Sequence, residues 1–303
     1  MNECFAPANR AGVELCYETF GDSADPTVLL VMGLGTQMIG WDVAFCGMLV
    51  ERGFHVVRYD NRDAGRSTRI RGKPPTLRQL ALRDRSSAAY TLSDMATDGV
   101  SLLDHLGVAR AHVVGASMGG MIAQTMAIDR ADRVLSLVSI MSNAGGRLRG
   151  QPELGVLPRF LKRAPADREG YAEHIKLLYD LIGSPGFERD PQITRDRARR
   201  AFDRGVSASA TGRQLGAVAA SGNRTRGLRG VTAPTLVIHG LADRLVHPSG
   251  GREVARAVRG AQLLEIEGMG HDLPVGVWPQ IVDGIVANAA RASRPPVNAN
   301  RAR

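Results

Sequence analysis

Residues 111–120 read AHVVGASMGG, an apolar run that leads into a serine between two glycines. The run is typical of a strand buried on both faces of a sheet, and residues 118–128, rich in Met, Ala and Ile, predict a helix. Gly115 and Gly119 flank Ser117 at two residues' distance, where a sharp strand-to-helix turn has no room for a side chain. We therefore expect the Ser117 hydroxyl at a helix N-terminus, where the helix dipole favours negative charge. A serine that only caps the helix is the alternative interpretation.

Strand and helix patterns alternate on both sides of this stretch. Further strands are predicted at residues 14–20, 28–32, 55–59, 134–141, 235–239 and 262–266. Further helices are predicted at residues 42–52, 93–106, 251–258 and 278–290. Ser93 is expected to begin the second of these helices. Strands that are apolar at nearly every position and alternate with helices favour a mostly parallel sheet covered by helices on both faces.

The alternation stops between Asn143 and Arg229. This segment has no strand-like run, and prolines separate its short amphipathic stretches. We interpret residues 143–229 as a helical cap inserted into a core domain formed by residues 1–142 and 230–294. The polar residues 295–303 predict a disordered tail.

The excess of basic residues lies mainly in this cap. The chain carries 39 Lys and Arg against 30 Asp and Glu, and residues 143–229 alone contain 17 Lys and Arg against 9 Asp and Glu. The cap has few aromatic residues and shows no helix-turn-helix, zinc-finger or RNP pattern. It therefore lacks the sequence features that are typical of nucleic-acid binding. We therefore interpret it as an arginine-rich solvated surface with packed side-chain stems, and we expect no nucleic-acid partner.

Composition places the chain among globular proteins. Of the 303 residues, 44% are apolar and 23% are charged, which excludes global disorder. No apolar run approaches the roughly 18 residues of a membrane span, and the N-terminus lacks the pattern of a signal peptide. The three cysteines suit neither a disulfide framework nor a zinc site. We expect a cytoplasmic protein without a transmembrane segment, and a homodimer stays an open option.

The sequence offers a base and an acid for Ser117. A serine hydroxyl needs a base to act as a nucleophile, and the base needs an acid to orient it. Asp243 follows the predicted strand 235–239, and His271 follows the strand 262–266, so both are expected at the sheet edge where Ser117 lies. The other histidines have less suitable positions: His55, His105, His112, His174, His239 and His247. We predict Ser117 as nucleophile, Asp243 as orienting acid and His271 as base.

Two backbone N–H groups are candidates for an oxyanion hole. One belongs to Met118, directly after the serine, and the other to Leu34 in the loop Met32–Gly35 after an earlier strand. That loop also matches part of a dinucleotide-binding fingerprint, but Met38 stands where the third glycine belongs. No cluster of metal-ligating residues is visible in the sequence. We therefore predict neither a nucleotide cofactor nor a metal.

Together, these motifs resemble the α/β-hydrolase fold superfamily. The resemblance rests on Gly115-Ala-Ser117-Met-Gly119, Gly240-Leu-Ala-Asp243, Gly268-Met-Gly-His271 and the turn of residues 59–67. It extends from about residue 13 to residue 290, and the chain is similar to the branch of aclacinomycin methylesterases and bacterial carboxylesterases. The resemblance implies an eight-stranded, mostly parallel sheet with a helical cap. It also implies carboxylic ester hydrolysis by a serine triad, and a structural role for the turn 60–67.

The sequence leaves the substrate open. We expect a small, apolar ester, while thioesters, lactones, amides and C–C bonds are alternatives for the same three residues. A hydrolase-like protein that binds a ligand without turnover is a further alternative. Six methionines near the predicted strand ends favour core filling over an adaptable apolar pocket. They are Met32, Met38, Met118, Met121, Met141 and Met269.

Overall fold

The structure, a computed structural model, describes residues 3–292. The predicted tail, residues 295–303, lies outside the described residues. The described chain forms one eight-stranded sheet. Its strands, β1 to β8, are Cys4–Ala6, Leu15–Phe20, Thr27–Val31, His55–Tyr59, Ala111–Ala116, Val134–Ile140, Thr235–Gly240 and Gln262–Ile266.

Eleven α-helices accompany the sheet within residues 3–292. The helices, α1 to α11, are Val43–Val50, Leu77–Leu82, Leu92–His105, Met118–Asp129, Val156–Phe160, Arg168–Ile182, Pro191–Arg204, Ala208–Ser221, Thr225–Leu228, Ser249–Ala257 and Trp278–Ala292. None of these described helices has both the length and the apolar character needed to cross a membrane.

The sheet brings the loops that follow its strands to one edge. The strand order is β1-β2-β4-β3-β5-β6-β7-β8. β2 pairs antiparallel with β1 and β4, and all other neighbours are parallel. The carboxyl ends of β3 to β8 therefore share one edge, where ligands bind in open sheets of this kind. The prediction of a mostly parallel, eight-stranded sheet is confirmed.

Alternate residues of the central strands supply two apolar layers. Leu29 and Val31 of β3 face a layer built with α3, α4 and α10, while Val28 and Leu30 face a layer built with α1 and α11. Successive side chains of a strand point to opposite faces of the sheet, so a strand that is apolar at every position is buried on both faces. The expectation of helices on both faces is confirmed.

The structure corrects one local prediction and adds one strand. Helix α3 begins at Leu92, and its N-cap is Thr91 and not Ser93. The Thr91 hydroxyl accepts from the Asp94 N–H at 3.3 Å, and the Asp94 carboxylate accepts from the Thr91 N–H at 2.7 Å. This capping box has Asp in place of the usual Glu or Gln, so the common pattern does not reveal it. Strand β1 is the addition, and its three residues are too few to give a periodic signal.

Helices α5 to α9 lie between β6 and β7, within residues 143–229, called the cap segment below. The described chain has no strand there, as predicted. Helices α6 and α7 pack together and are joined by solvent-exposed ion pairs, among them Arg168 Nε to Asp203 Oδ1 at 2.8 Å. The division into a core domain and a separate cap domain stays a prediction.

Two buried arginines tie the cap segment to the turn 60–67 of the core. Arg204 of α7 contacts Asp60, with 2.8 Å between Nη2 and Oδ2. Arg213 of α8 donates two hydrogen bonds to Asp63, at 2.6 and 2.9 Å. The Tyr90 hydroxyl donates to the same carboxylate at 2.7 Å. The interpretation of the cap arginines as a solvated surface therefore holds for only part of the cap segment. A guanidinium can be buried when a carboxylate accepts hydrogen bonds from its planar set of N–H donors.

We expect Arg213→Met to lower the free energy of unfolding by about 3–5 kcal/mol, because it leaves the Asp63 carboxylate buried without its cation. Arg168→Met is the matched control, since its exposed pair with Asp203 should contribute less than about 1 kcal/mol. Urea unfolding of both variants measures the difference. Equal losses would show that the Arg213 pair does not anchor the cap segment.

Candidate active site

Ser117 forms the turn that joins β5 to α4. β5 ends at Ala116 and α4 begins at Met118, so the change of direction falls on one residue. Ser117 has φ 56° and ψ −120°, a backbone conformation that residues other than glycine rarely adopt. Such strain persists only where the surrounding packing holds it, and it clusters at functional sites.

Close backbone contacts explain the two glycines around this serine. A Cβ on Gly115 would lie 2.6 Å from the Gly120 nitrogen. A Cβ on Gly119 would lie 2.7 Å from the Met32 carbonyl oxygen and would also overlap the Val31 carbonyl group. No larger residue fits at either position unless the backbone moves, which is the steric requirement expected from the sequence.

The imidazole of His271 lies between Ser117 and Asp243. Its Nε2 is 2.9 Å from the Ser117 Oγ, and its Nδ1 is 2.8 Å from the Asp243 Oδ2. An ionised carboxylate only accepts hydrogen bonds, so Nδ1 carries the proton and Nε2 accepts from the Ser117 hydroxyl. The three residues follow β5, β7 and β8, and the shared sheet edge brings them into one hydrogen-bonded row.

The Asp243 carboxylate is fully buried and held from several directions. Its Oδ1 accepts from the N–H groups of Leu245 and Val246, at 2.9 and 2.8 Å. Burial by itself raises the pKa of this carboxyl, but the charges and hydrogen bonds of His271 and His239 lower the pKa well below its usual range. The group therefore stays ionised, and it can stabilise a positive charge on the His271 ring.

His239 is a member of the site that the sequence pattern does not identify. It lies in β7, with its Nε2 3.4 Å from the Asp243 Oδ2 and 2.7 Å from the Val246 carbonyl oxygen. Since the carbonyl can only accept, Nε2 carries the proton and donates it to Val246, with the Asp243 carboxylate close beside it. His239 therefore supports Asp243 and has no contact with Ser117. Its spacing of four residues from Asp243 is the one available signal in the sequence.

The loop after β3 lies against Ser117. A Cβ on Gly33 would be 3.6 Å from the Ser117 Oγ, which puts the neighbouring Leu34 beside the serine. Among the hydrogen bonds within residues 3–292, none is donated by the backbone N–H of Leu34 or of Met118. Both N–H groups that the sequence predicts as oxyanion donors therefore have no acceptor among the described residues.

Side chains from the cap segment and from the core brace this loop. Gln214 of α8 accepts from the Gly35 N–H at 2.8 Å and donates to the Arg62 carbonyl at 2.8 Å. Asn61 donates to the Met32 carbonyl at 2.9 Å. Gln214 belongs to no motif that would identify it from the sequence, and Asn61 lies in the turn 59–67, whose motif does not reveal its contact with Met32, 29 positions away.

The six methionines near the strand ends are all buried, as core filling requires. They are Met32, Met38, Met118, Met121, Met141 and Met269. Within the described part of the chain, no group of three or more His, Cys, Asp or Glu residues is placed to hold a metal ion.

Known proteins share this fold. A family model described as the alpha/beta hydrolase fold matches residues 26–275. The chain therefore belongs to the α/β-hydrolase family, and the resemblance seen in the sequence motifs is confirmed. Membership also confirms the expectation that the chain is an enzyme of the hydrolase type.

Relatives within the family match nearly the whole chain. Rhodomycin D methylesterase DnrP of Streptomyces peucetius is 30% identical, over 93% of this chain and 96% of the relative. Rhodomycin D methylesterase DauP of Streptomyces sp. strain C5 is 29% identical with the same coverage. The enol-lactonase from Burkholderia xenovorans LB400 has a similar structure, with a TM-score of 0.72 at 25% identity over 95% of this chain and 100% of the lactonase chain.

We expect Gly119→Ala to lower the free energy of unfolding by more than about 2 kcal/mol, because the added methyl group meets the carbonyl groups of β3. Gly47→Ala in α1 is the matched control. A Cβ there meets no atom within 4 Å, so the change should stabilise the helix by up to about 1 kcal/mol. Thermal unfolding compares the two variants. A Gly119→Ala protein as stable as the parent would contradict the steric explanation of the turn.

Proposed function

We propose that the chain is a carboxylic ester hydrolase that forms an acyl-enzyme on Ser117. The observation that carries this proposal is the row of hydrogen bonds from the Ser117 Oγ through His271 to Asp243, with separations of 2.9 and 2.8 Å. Family membership and the similarity to two methylesterases support the same reaction class. In this proposal Ser117 is the nucleophile, His271 the general base and Asp243 the acid that orients it.

Acylation begins when the Ser117 oxygen attacks the ester carbonyl carbon. His271 Nε2 takes the hydroxyl proton as the new C–O bond forms, and the ring becomes positively charged. The ionised Asp243 stabilises this imidazolium and keeps its orientation. The tetrahedral intermediate then collapses, and His271 returns the proton to the departing alkoxide. An alcohol leaves, and the acyl group stays on Ser117.

Deacylation repeats the same chemical steps with water as the nucleophile. His271 takes a proton from a water molecule, whose oxygen attacks the acyl carbon. The second tetrahedral intermediate collapses with Ser117 as the leaving group, and His271 returns the proton to its oxygen. The products are the alcohol and a carboxylic acid, and the chain needs no bound metal or organic cofactor for these steps.

The oxyanion of both intermediates needs donors that are in place before the reaction. The N–H groups of Leu34 and Met118 fit this role, because both lie next to Ser117 and neither donates a hydrogen bond to an acceptor within residues 3–292. The start of α4 adds the positive end of a helix dipole. Loss of one such donor costs about 100- to 1000-fold in rate in comparable enzymes.

The substrate that we propose is a small, largely apolar ester, with a methyl ester as the first candidate. Both methylesterase relatives match more than nine tenths of this chain. The two residues whose backbone N–H groups are the proposed oxyanion donors, Leu34 and Met118, also have apolar side chains. An ester with little charge near the scissile bond therefore suits this surface better than a charged one.

Lactone hydrolysis is the second candidate reaction. The enol-lactonase from Burkholderia xenovorans supports it, because that protein is 25% identical and its chain is covered completely. A lactone is a cyclic ester, so the attack by Ser117 and the oxyanion contacts are unchanged. The leaving alkoxide stays attached to the acyl group, and relative rates on methyl esters and lactones separate the two candidates.

We expect Ser117→Ala to lower the hydrolysis rate of a short p-nitrophenyl ester by at least about 10,000-fold, because the nucleophile is removed. Ser93→Ala is the matched control, since Ser93 lies on α3 and its hydroxyl donates to Asp129 at 2.7 Å. Stopped-flow or steady-state release of p-nitrophenol measures both rates. The same rate in Ser117→Ala as in the parent would reject the esterase proposal and favour a binding protein without turnover.

A further inference from the structure

The loop that carries His271 rests on the cap segment. We call residues 267–272 the histidine loop and residues 182–186, which begin with the last residue of α6, the cap junction. The His271 N–H donates to the Ile182 carbonyl at 2.7 Å. The Gly186 N–H donates to the Gly268 carbonyl at 2.9 Å, so the two segments exchange backbone hydrogen bonds in both directions.

Ser184 supplies the side-chain contacts of this junction. Its hydroxyl oxygen accepts from the Gly270 N–H at 2.9 Å, and the hydroxyl donates to the carboxylate of Asp272. Ser184 is 8% exposed, so water does not compete strongly for these bonds. Gly270 and Asp272 are the two chain neighbours of His271, and one cap hydroxyl therefore holds both sides of the base.

Backbone packing makes the junction stiff. A Cβ on Gly270 would lie 2.6 Å from the Ile182 carbonyl oxygen, and a Cβ on Gly186 would lie 2.6 Å from the Gly268 Cα. The absence of side chains lets the two backbones touch. A displacement of the cap junction is therefore transmitted to the histidine loop and is not absorbed by flexible side chains.

The core contacts this loop at Met269 and again at Leu273, the residue directly after it. The Ala242 N–H donates to the Met269 carbonyl at 2.9 Å, and the Trp278 indole donates to the Leu273 carbonyl at 2.9 Å. Between these points, the backbone N–H groups of Gly270 and His271 donate to the cap junction. The imidazole itself contacts Asp243 and Ser117 through its side-chain atoms only.

We propose that Ser184 and Asp272 are positioning residues that set the orientation of the His271 ring, so that the cap segment contributes to the chemical step. The inference rests on the proposed function, in which His271 is the base. A misplacement of a catalytic group by about 1 Å can cost about 100-fold in rate. Hydrogen bonds to both neighbours of His271 restrict that kind of displacement.

The test compares Ser184→Ala with Ser221→Ala. The Ser221 hydroxyl also accepts from a core N–H, that of Leu92 at 2.9 Å, and donates within the cap segment to the Ala217 carbonyl at 2.7 Å. It is thus a matched cap-to-core serine without contact to the histidine loop. We expect Ser184→Ala to lower kcat for the p-nitrophenyl ester by about 10- to 100-fold with KM within about 2-fold. Ser221→Ala should leave kcat unchanged.

Two more variants separate positioning from general destabilisation. Ser184→Thr keeps the hydroxyl and should recover most of kcat. Asp272→Asn keeps an acceptor for Ser184 and should lose less kcat than Asp272→Ala. The downfield proton NMR signal of the His271–Asp243 hydrogen bond should broaden in Ser184→Ala and stay sharp in Ser221→Ala.

Equal kcat in Ser184→Ala and Ser221→Ala, or a change in KM alone, would overturn the inference. If Ser184→Ala does not fold, unchanged kcat in folded Asp272→Ala would overturn it equally. The proposed function fails independently, through an active Ser117→Ala protein. An inactive Ser117→Ala together with a fully active Ser184→Ala would therefore reject the positioning role and retain the esterase.

Discussion

The two hydrogen bonds of the His271 imidazole are the constraint on which the site depends. The ring can accept from the Ser117 hydroxyl only while its other nitrogen keeps a proton, and the ionised Asp243 holds that proton on Nδ1. The loops after β5 and β7 must therefore bring Ser117 and Asp243 within hydrogen-bond distance of the ring that the loop after β8 carries. A parallel sheet meets this requirement, because the carboxyl ends of neighbouring strands share an edge. The buried hydrogen bonds that Asp243 accepts from Leu245 and Val246, and its 3.4 Å contact with His239, hold the carboxylate in place for this role.

The position of the serine is set by backbone contacts, and the cap segment completes the surroundings. Gly119 lies so close to the end of β3 that the start of α4 cannot shift without moving the sheet. The same close packing brings Gly33 against Ser117, and Gln214 of the cap segment then holds the adjoining Gly35. Core and cap are joined a second time through the buried pairs Arg204–Asp60 and Arg213–Asp63. Rigid packing of this kind gives the preorganisation that oxyanion stabilisation requires.

The sequence predicts the fold well wherever the signal is local. Strands and helices of the core follow from runs of five to fifteen residues, and the strand at 262–266 agrees to the residue with β8. Gly115 also carries a local signal, because the residues that a side chain there would clash with, Gly119 and Gly120, belong to the same turn. The clash at Gly119 is with Val31 and Met32, which are distant in the sequence. Where the signal deviates from the common pattern, the prediction is wrong by a residue or two, as at Thr91 and Ser93.

Motifs in the chain itself establish the α/β-hydrolase family and the candidate residues Ser117, Asp243 and His271, since each motif is a short string with a steric or chemical reason behind it. Long-range contacts supply the support that these residues receive from the cap segment. Gln214 meets Gly35 across 179 positions, and Ser184 meets Gly270 across 86. Such polar contacts leave no periodicity and no fixed spacing, because any helix surface can carry a glutamine or a serine. Only the folded chain, in which helices of the cap segment lie over the sheet edge, gives these residues their partners.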